Sequence, residues 1–367
     1  MRALLLLPGL LLAMLFALLA VSSALTGNWG GLSLFAVLTW LCLPASGRAL
    51  GRLAGGAQLQ LRLALIAALL AFGAWRFVSG TPGPIYASPE IRARFHAIYD
   101  DKMQNWPLPY DDIMLSTRYG RVHVIASGPQ DAPPLLLLHA SGVGSWSWKW
   151  NAAALGSRYR LFAVDLIGDV GKSDYADPAH VMKTGRDQAD LYAEIADLLG
   201  IARAPVIGAS EGGFVASNFA LYHPDRVEKL VLLGPMGYSG ATSAIAVITL
   251  AQLFPLPSVQ RFTFRWAFSG DAKLQADYTE WFPLLMRETH PAKVAPLPLS
   301  AAQRRAITAP TLFVFGTRDN LVGDPARAAE RVSDMPDARV EVVDAGHLMA
   351  AEAPELVTPL ILDFLAD

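Results

Sequence analysis

The sequence holds one cysteine, Cys42, which excludes an intramolecular disulfide. It has no cluster of cysteine and histidine with the spacing of a metal site. The net charge is −2 and no basic run occurs, so nothing points to a nucleic-acid partner. Charge is scarce, at 17% of residues, and the scarcity is uneven. Glu90 is the first acidic residue. Before it the only charged side chains are Arg2, Arg48, Arg52, Arg62 and Arg76. Beyond it the composition is that of an ordinary globular domain. The chain therefore divides near residue 80, into an apolar region, 1–80, and a domain, 81–367.

Three apolar stretches fill the first part. Residues 3–25 are long enough to span a bilayer core of about 30 Å at about 1.5 Å per helical residue. Residues 29–44 and 63–78 are at the short end of that requirement. Trp29, Trp40 and Trp75 stand near the ends, where indole rings favour the membrane interface. The expectation is three transmembrane helices. Two other readings stay open. The first stretch has the basic start and the small residues Ser22-Ser23-Ala24 of a secretory signal, and the shorter stretches also suit interfacial or core helices. Arg48, Arg52 and Arg62 crowd the second connection, whereas residues 26–28 carry no charge. The positive-inside rule then keeps the arginine loop and Arg2 in the cytoplasm. Three spans carry the C-terminal domain to the opposite side; two would reverse that.

Gly80-Thr81-Pro82-Gly83-Pro84 is a linker by composition. A helix-like segment begins at Ile91. Strands are expected at 113–117 and 121–126, and the apolar run 134–138 reads as a strand buried on both faces. Further strands are expected at 161–164, 205–208, 231–233, 311–315 and 340–343. Helices are expected at 187–199, from the end of the 205–208 strand through Leu221, and at 353–365. This alternation predicts an α/β fold with a mostly parallel sheet and helices on both faces. Residues 237–306 interrupt it with a largely helical insertion rich in Phe, Trp, Leu and Met.

Gly208-Ala209-Ser210-Glu211-Gly212 follows one of these strands and opens a helix. This is the G-x-S-x-G elbow in its strand–turn–helix setting. Ser210 is the candidate nucleophile, and its neighbours must be small for the backbone to turn so tightly. A serine hydroxyl needs a base. In chain order serine, acid, histidine, the base is His347 in Asp344-Ala345-Gly346-His347, after the last strand. The acid is Asp319, after the preceding strand. Asp324 is its rival, although it suits a helix N-cap better. Oxyanion donors are expected from the backbone N–H groups of Glu211 and Ser141. His139 is expected to support the oxyanion loop rather than move protons. His223, before Pro224, reads as a helix end; His96, His123, His180 and His290 have no motif around them. The segment Asp165 to Ser173 lacks the spacing of a phosphate loop.

At these residues the chain resembles the α/β-hydrolase family, and within it a bacterial carboxylesterase branch. The likeness runs from about Ile91 to the C-terminus. It rests on Tyr99-Asp100, Trp106-Pro107-Leu108-Pro109-Tyr110, Thr117-Arg118-Tyr119-Gly120, Leu135 to His139, Asp165 to Ser173, the elbow, and Gly346-His347. One departure is Ala140, where the family usually has glycine after the histidine. The resemblance implies the α/β-hydrolase fold with a helical cap, matched by 237–306. It implies an enzyme without cofactor or metal, cleaving small-molecule carboxylic esters, with an apolar acyl group suggested by the cap. Thioesters, lactones, lipids and peptides are alternatives for the same residues, and a non-catalytic membrane receptor or scaffold is the alternative of another class. Serine at position 210 argues against the dehalogenase and epoxide-hydrolase chemistries of this fold, which use aspartate there. Together with the arginine pattern, the reading is a bacterial inner-membrane protein with its catalytic domain outside the cytoplasm.

Overall fold

The computed structural model describes residues 84–238, 257–267 and 272–367. The three apolar stretches at 3–25, 29–44 and 63–78 lie outside the described residues, as do parts of the insertion. Among the described residues no helix is long and apolar enough to cross a membrane. The sheet and the site lie within a single compact unit.

Helix α1 (Pro89–Met103) starts where Ser88 accepts the N–H of Ile91 and Pro89 occupies the first turn. The strands follow as β1 (Tyr110–Ser116), β2 (Gly120–Ser127), β3 (Pro134–Leu138), β4 (Arg160–Val164), β5 (Asp174–Tyr175), β6 (Ala204–Ala209), β7 (Val227–Leu233), β8 (Thr311–Gly316) and β9 (Ala338–Val343). They make one sheet in the order β1-β2-β4-β3-β6-β7-β8-β9, with β5 paired to β2. Pairing is parallel from β4 through β9 and antiparallel among β1, β2, β4 and β5. The α/β architecture with a mostly parallel sheet is as expected from the alternating pattern.

Strand β3 shows why the centre of the sheet needs no polar side. Its side chains alternate between faces, and both faces are covered. Leu135 and Leu137 join the cluster of Phe95, Tyr99, Trp146, Trp148 and Ile361. Leu136 and Leu138 join that of Leu191, Ile195, Phe219 and Val332. Each buried leucine contributes roughly 1.5–3 kcal/mol. The first face is covered by α1, α2 (Lys149–Leu155) and α11 (Pro354–Ala366), the second by α3 (Gly185–Leu198), α4 (Glu211–Tyr222) and α9 (Pro325–Val332). A capping box between Thr184 and Asp187 opens α3. The short helix α10 (Met349–Glu352) precedes α11.

Between β7 and β8 the described part of the insertion forms α5 (Pro257–Ala267), α6 (Ala272–Tyr278), α7 (Trp281–Glu288) and α8 (Ala301–Ala306). An extended segment returns between α7 and α8. Trp281 is fully buried and packs edge-on to Phe95 and Trp146, at centroid distances of 4.7 and 5.8 Å. This aromatic residue of the cap therefore packs with the core.

Candidate active site

Ser210 sits between the end of β6 and the start of α4. Its φ of 50° is the one positive value among the described non-glycine residues. Such a backbone costs about 1–3 kcal/mol and persists only where its surroundings hold it. Here the Ser210 N–H donates to the Leu233 carbonyl at 2.9 Å, and its own carbonyl accepts the N–H groups of Met236 and Phe214. The tightness of the turn explains the two glycines. A Cβ on Gly208 would lie 2.3 Å from the Gly212 carbonyl oxygen, and one on Gly212 would lie 2.2 Å from that of Leu138.

Three carboxyl-terminal strand ends bring the next groups together, where sheets of this kind bind ligands. His347 Nε2 lies 2.8 Å from Ser210 Oγ, and His347 Nδ1 lies 2.8 Å from Asp319 Oδ2. A carboxylate only accepts, so Nδ1 carries the proton and Nε2 is free to accept from the serine hydroxyl. All three residues are buried. Asp319 Oδ1 accepts the N–H groups of Leu321 and Val322, both at 2.9 Å, which fixes the carboxylate plane. Glu352, which carries no motif, accepts the N–H groups of Gly346 and Leu348 and so holds the backbone on both sides of His347. Asp324 takes no part in this chain. It is the N-cap of α9 and accepts the Ala326 N–H at 2.9 Å.

On the other side of Ser210 lies the loop after β3. Glu211 begins α4, where the first N–H groups have no partner within the helix. Among the described residues, the backbone N–H groups of Ser141 and Glu211 make no hydrogen bond. His139 is fully buried. Its Nε2 accepts the Leu166 N–H at 3.0 Å, so its Nδ1 donates to the Ala140 carbonyl at 2.8 Å. Both ring nitrogens are thus engaged by backbone. Gly142 is held from two sides: its N–H donates to Asp169 Oδ2 and its carbonyl accepts from Trp281 Nε1.

Two clusters were invisible to motif reading. In the first, Lys293, on the segment returning from the cap, donates to Ser141 Oγ, Glu211 Oε2 and Asp169 Oδ2 at 2.6, 2.7 and 2.9 Å. In the second, the buried His123 places Nδ1 2.8 Å from Asp165 Oδ2 and Nε2 2.7 Å from Asp112 Oδ1. Burial alone would lower the His123 pKa, but the two carboxylates prevail and push it up to about 9. Burial likewise opposes ionisation of Asp165, yet the imidazolium holds its carboxyl well below the usual range. Asp165 also accepts the N–H groups of Ser145 and Lys172. The network therefore ties the turn after β4 to the loop after β3. No motif marks it, because Asp165 stands 42 residues from His123 and reaches it only through the pairing of β2 with β4.

A cavity of about 20 Å³ opens beside His347, lined mainly by Ala140, Val143, Trp148, Ala209, Leu233, Tyr278, Leu348 and Met349. Its lining is apolar. That volume admits roughly one water. Among the described residues no group of three His, Cys, Asp or Glu is placed to hold a metal ion.

The sheet order, the strained serine at the end of β6 and the hydrogen-bonded serine, histidine and aspartate define a class. The chain belongs to the alpha/beta hydrolase family, whose profile matches residues 135–360. Within it the chain resembles bacterial carboxylesterases. Carboxylesterase YbfK of Bacillus subtilis is 33% identical over 301 residues, 76% of this chain and 96% of that protein. The crystal structure of naproxen esterase (carboxylesterase NP) from Bacillus subtilis superposes with a TM-score of 0.69 at 29% identity, covering 74% of this chain and 97% of that one.

Proposed function

We propose that this chain is a membrane-tethered serine carboxylesterase that works through an acyl-serine intermediate. The observation that carries the reading is the unbroken hydrogen-bonded chain from Ser210 Oγ through His347 to Asp319. The carboxylesterase relatives support the choice of ester over other acyl substrates.

Ser210 Oγ attacks the ester carbonyl carbon while His347 Nε2 takes the hydroxyl proton. Asp319 holds the ring tautomer and stabilises the imidazolium. The carbonyl oxygen becomes an oxyanion, which the backbone N–H groups of Ser141 and Glu211 receive. The imidazolium then gives its proton to the leaving alkoxide, and alcohol departs. Water repeats the sequence: His347 takes one of its protons, hydroxyl attacks the acyl carbon, and Ser210 leaves with the proton returned. The chemistry needs no cofactor.

The tether rests on the apolar stretch 3–25 and the arginine pattern, with the catalytic domain outside the cytoplasm of a bacterial inner membrane. Hydrolysis of p-nitrophenyl esters by the full-length protein in detergent, compared with Ser210→Ala, tests the activity. Wild-type turnover that disappears in the variant is the expected result. Equal turnover by both, or none by either across a range of acyl lengths, would end the reading.

A further inference from the structure

Lys293 lies in no motif and far from Ser210 in sequence, yet it touches both residues proposed to supply oxyanion donors. Its ammonium has three protons to donate. They go to Ser141 Oγ, Glu211 Oε2 and Asp169 Oδ2. Asp169 Oδ2 also accepts the Gly142 N–H at 2.7 Å. One nitrogen thus joins the loop after β3, the turn after β4 and the first residue of α4. The backbone carrying Lys293 is pinned as well. The N–H of Ala292 donates to the Gly168 carbonyl, and Tyr175 Oη donates to the Ala292 carbonyl.

The arrangement has an electrostatic side. Asp169 and Glu211 are 1% and 6% exposed, and both carboxylates face the same nitrogen. Without the ammonium they would repel each other and the negative charge developing on the substrate oxygen. The other ionisable groups here do not substitute for the lysine. The phenols of Tyr175 and Tyr192 are pushed up by burial and stay neutral, and His139 is occupied by backbone on both nitrogens.

We propose that Lys293 is a positioning residue for ester hydrolysis: it sets the spacing of the Ser141 and Glu211 backbone donors and neutralises the two carboxylates behind them. The proposal rests on the acyl-serine reading and deepens it. Because Lys293 acts on a site filled only in the transition state, its loss lowers kcat more than it alters KM. Removing a true oxyanion donor costs about 10²–10³ in kcat, and a residue acting through the donors should cost less, about 10- to 100-fold.

The test uses the full-length protein and a p-nitrophenyl ester it turns over. Lys293→Met should lower kcat about 10- to 100-fold with KM changed less than about threefold. Adding Glu211→Gln to Lys293→Met, which keeps the backbone N–H and removes one charge, should recover part of the lost kcat. Ser141→Ala keeps Lys293 and the backbone donor but loses one contact; it should lower kcat several-fold and serves if Lys293→Met does not fold. Fluorophosphonate labelling separates the two ideas. If Ser210 is labelled in wild type but slowly in Lys293→Met, the proposal stands. Labelling of both at one rate, or a kcat deficit unrelieved by Glu211→Gln, overturns it and leaves the acyl-serine reading intact. Wild-type kcat in Ser141→Ala also counts against it. Wild-type protein that is never labelled overturns the acyl-serine reading itself.

Discussion

Asp319 and His347 meet at 2.8 Å through Oδ2 and Nδ1, with the remaining Asp319 oxygen held by two backbone N–H groups. The carboxylate is therefore fixed before the imidazole acquires charge. Replacing Asp319 by Asn presents an amide nitrogen or a neutral oxygen to Nδ1 and disturbs the tautomer. Loss of about 10⁴ in kcat is expected, by comparison with other serine triads. Asp324→Ala should leave kcat within about twofold and cost about 1 kcal/mol of stability, as for a helix cap. Steady-state kinetics and urea unfolding on the two variants check this; the opposite ranking would move the acid to Asp324.

The small apolar cavity beside His347 predicts a preference for short acyl groups. Each buried methylene contributes about 0.8 kcal/mol until the space is filled. With about 20 Å³ available, kcat/KM should peak early in a series from acetyl to octanoyl. Met349 is fully buried and lines the cavity. Met349→Ala should move the peak to longer chains, at a cost of about 2–5 kcal/mol in stability. A wild-type series that rises through octanoyl, or one unchanged by Met349→Ala, would remove this cavity from acyl recognition.

His123 gives stability a pH dependence. Its folded pKa of about 9 stands above the ordinary 6.5, so the folded state binds the proton more tightly. The resulting stabilisation is complete below pH 6.5 and is lost as pH rises through about 9. It amounts at most to something on the order of 3 kcal/mol, since each pKa unit is about 1.4 kcal/mol and the half-exposed Asp112 is screened. Urea unfolding midpoints should fall between pH 6.5 and 9.5. His123→Asn leaves two carboxylates without their cation, so it should be less stable at pH 6.5 and show a flatter profile over the same interval. An identical slope in the variant would assign the pH effect elsewhere.

Topology is open to a direct reporter. Each arginine carried to mid-membrane costs roughly 2.5–3.5 kcal/mol, so threading that keeps Arg2 and the Arg48–Arg62 loop inside is favoured. On the proposed three-span topology, which delivers the C-terminus outside the cytoplasm, alkaline phosphatase fused after Asp367 should be active. An inactive phosphatase with an active cytoplasmic reporter at the same position would place the domain inside and require a different number of spans.

What could be read from sequence followed the range of the interactions involved. The elbow is local: Gly208, Ser210 and Gly212 must lie close in sequence because a single turn makes them clash or fit. The strand at 134–138 is legible because burial on both faces leaves five apolar residues in a row. Strand β5 has two residues and owes its existence to pairing with Gly120 and Arg121, so it left no periodicity. The short helix α2 was also missed, as its Ala-rich sequence is too brief for a helical stripe. Lys293 and His123 were not singled out for a different reason. Their partners, Asp169 and Glu211 for one and Asp165 for the other, are gathered by the sheet from distant segments. Glu352 is near His347 in sequence, but its task of bonding the neighbouring N–H groups has no residue pattern.

The central claim is that Ser210 becomes covalently acylated. Reaction of the full-length protein with a fluorophosphonate, followed by digestion and mass analysis, reads this directly. One adduct is expected, on the peptide containing Gly208-Ala209-Ser210-Glu211-Gly212, abolished in Ser210→Ala and strongly slowed in His347→Ala. An adduct on another residue, or one that persists in Ser210→Ala, would contradict the account.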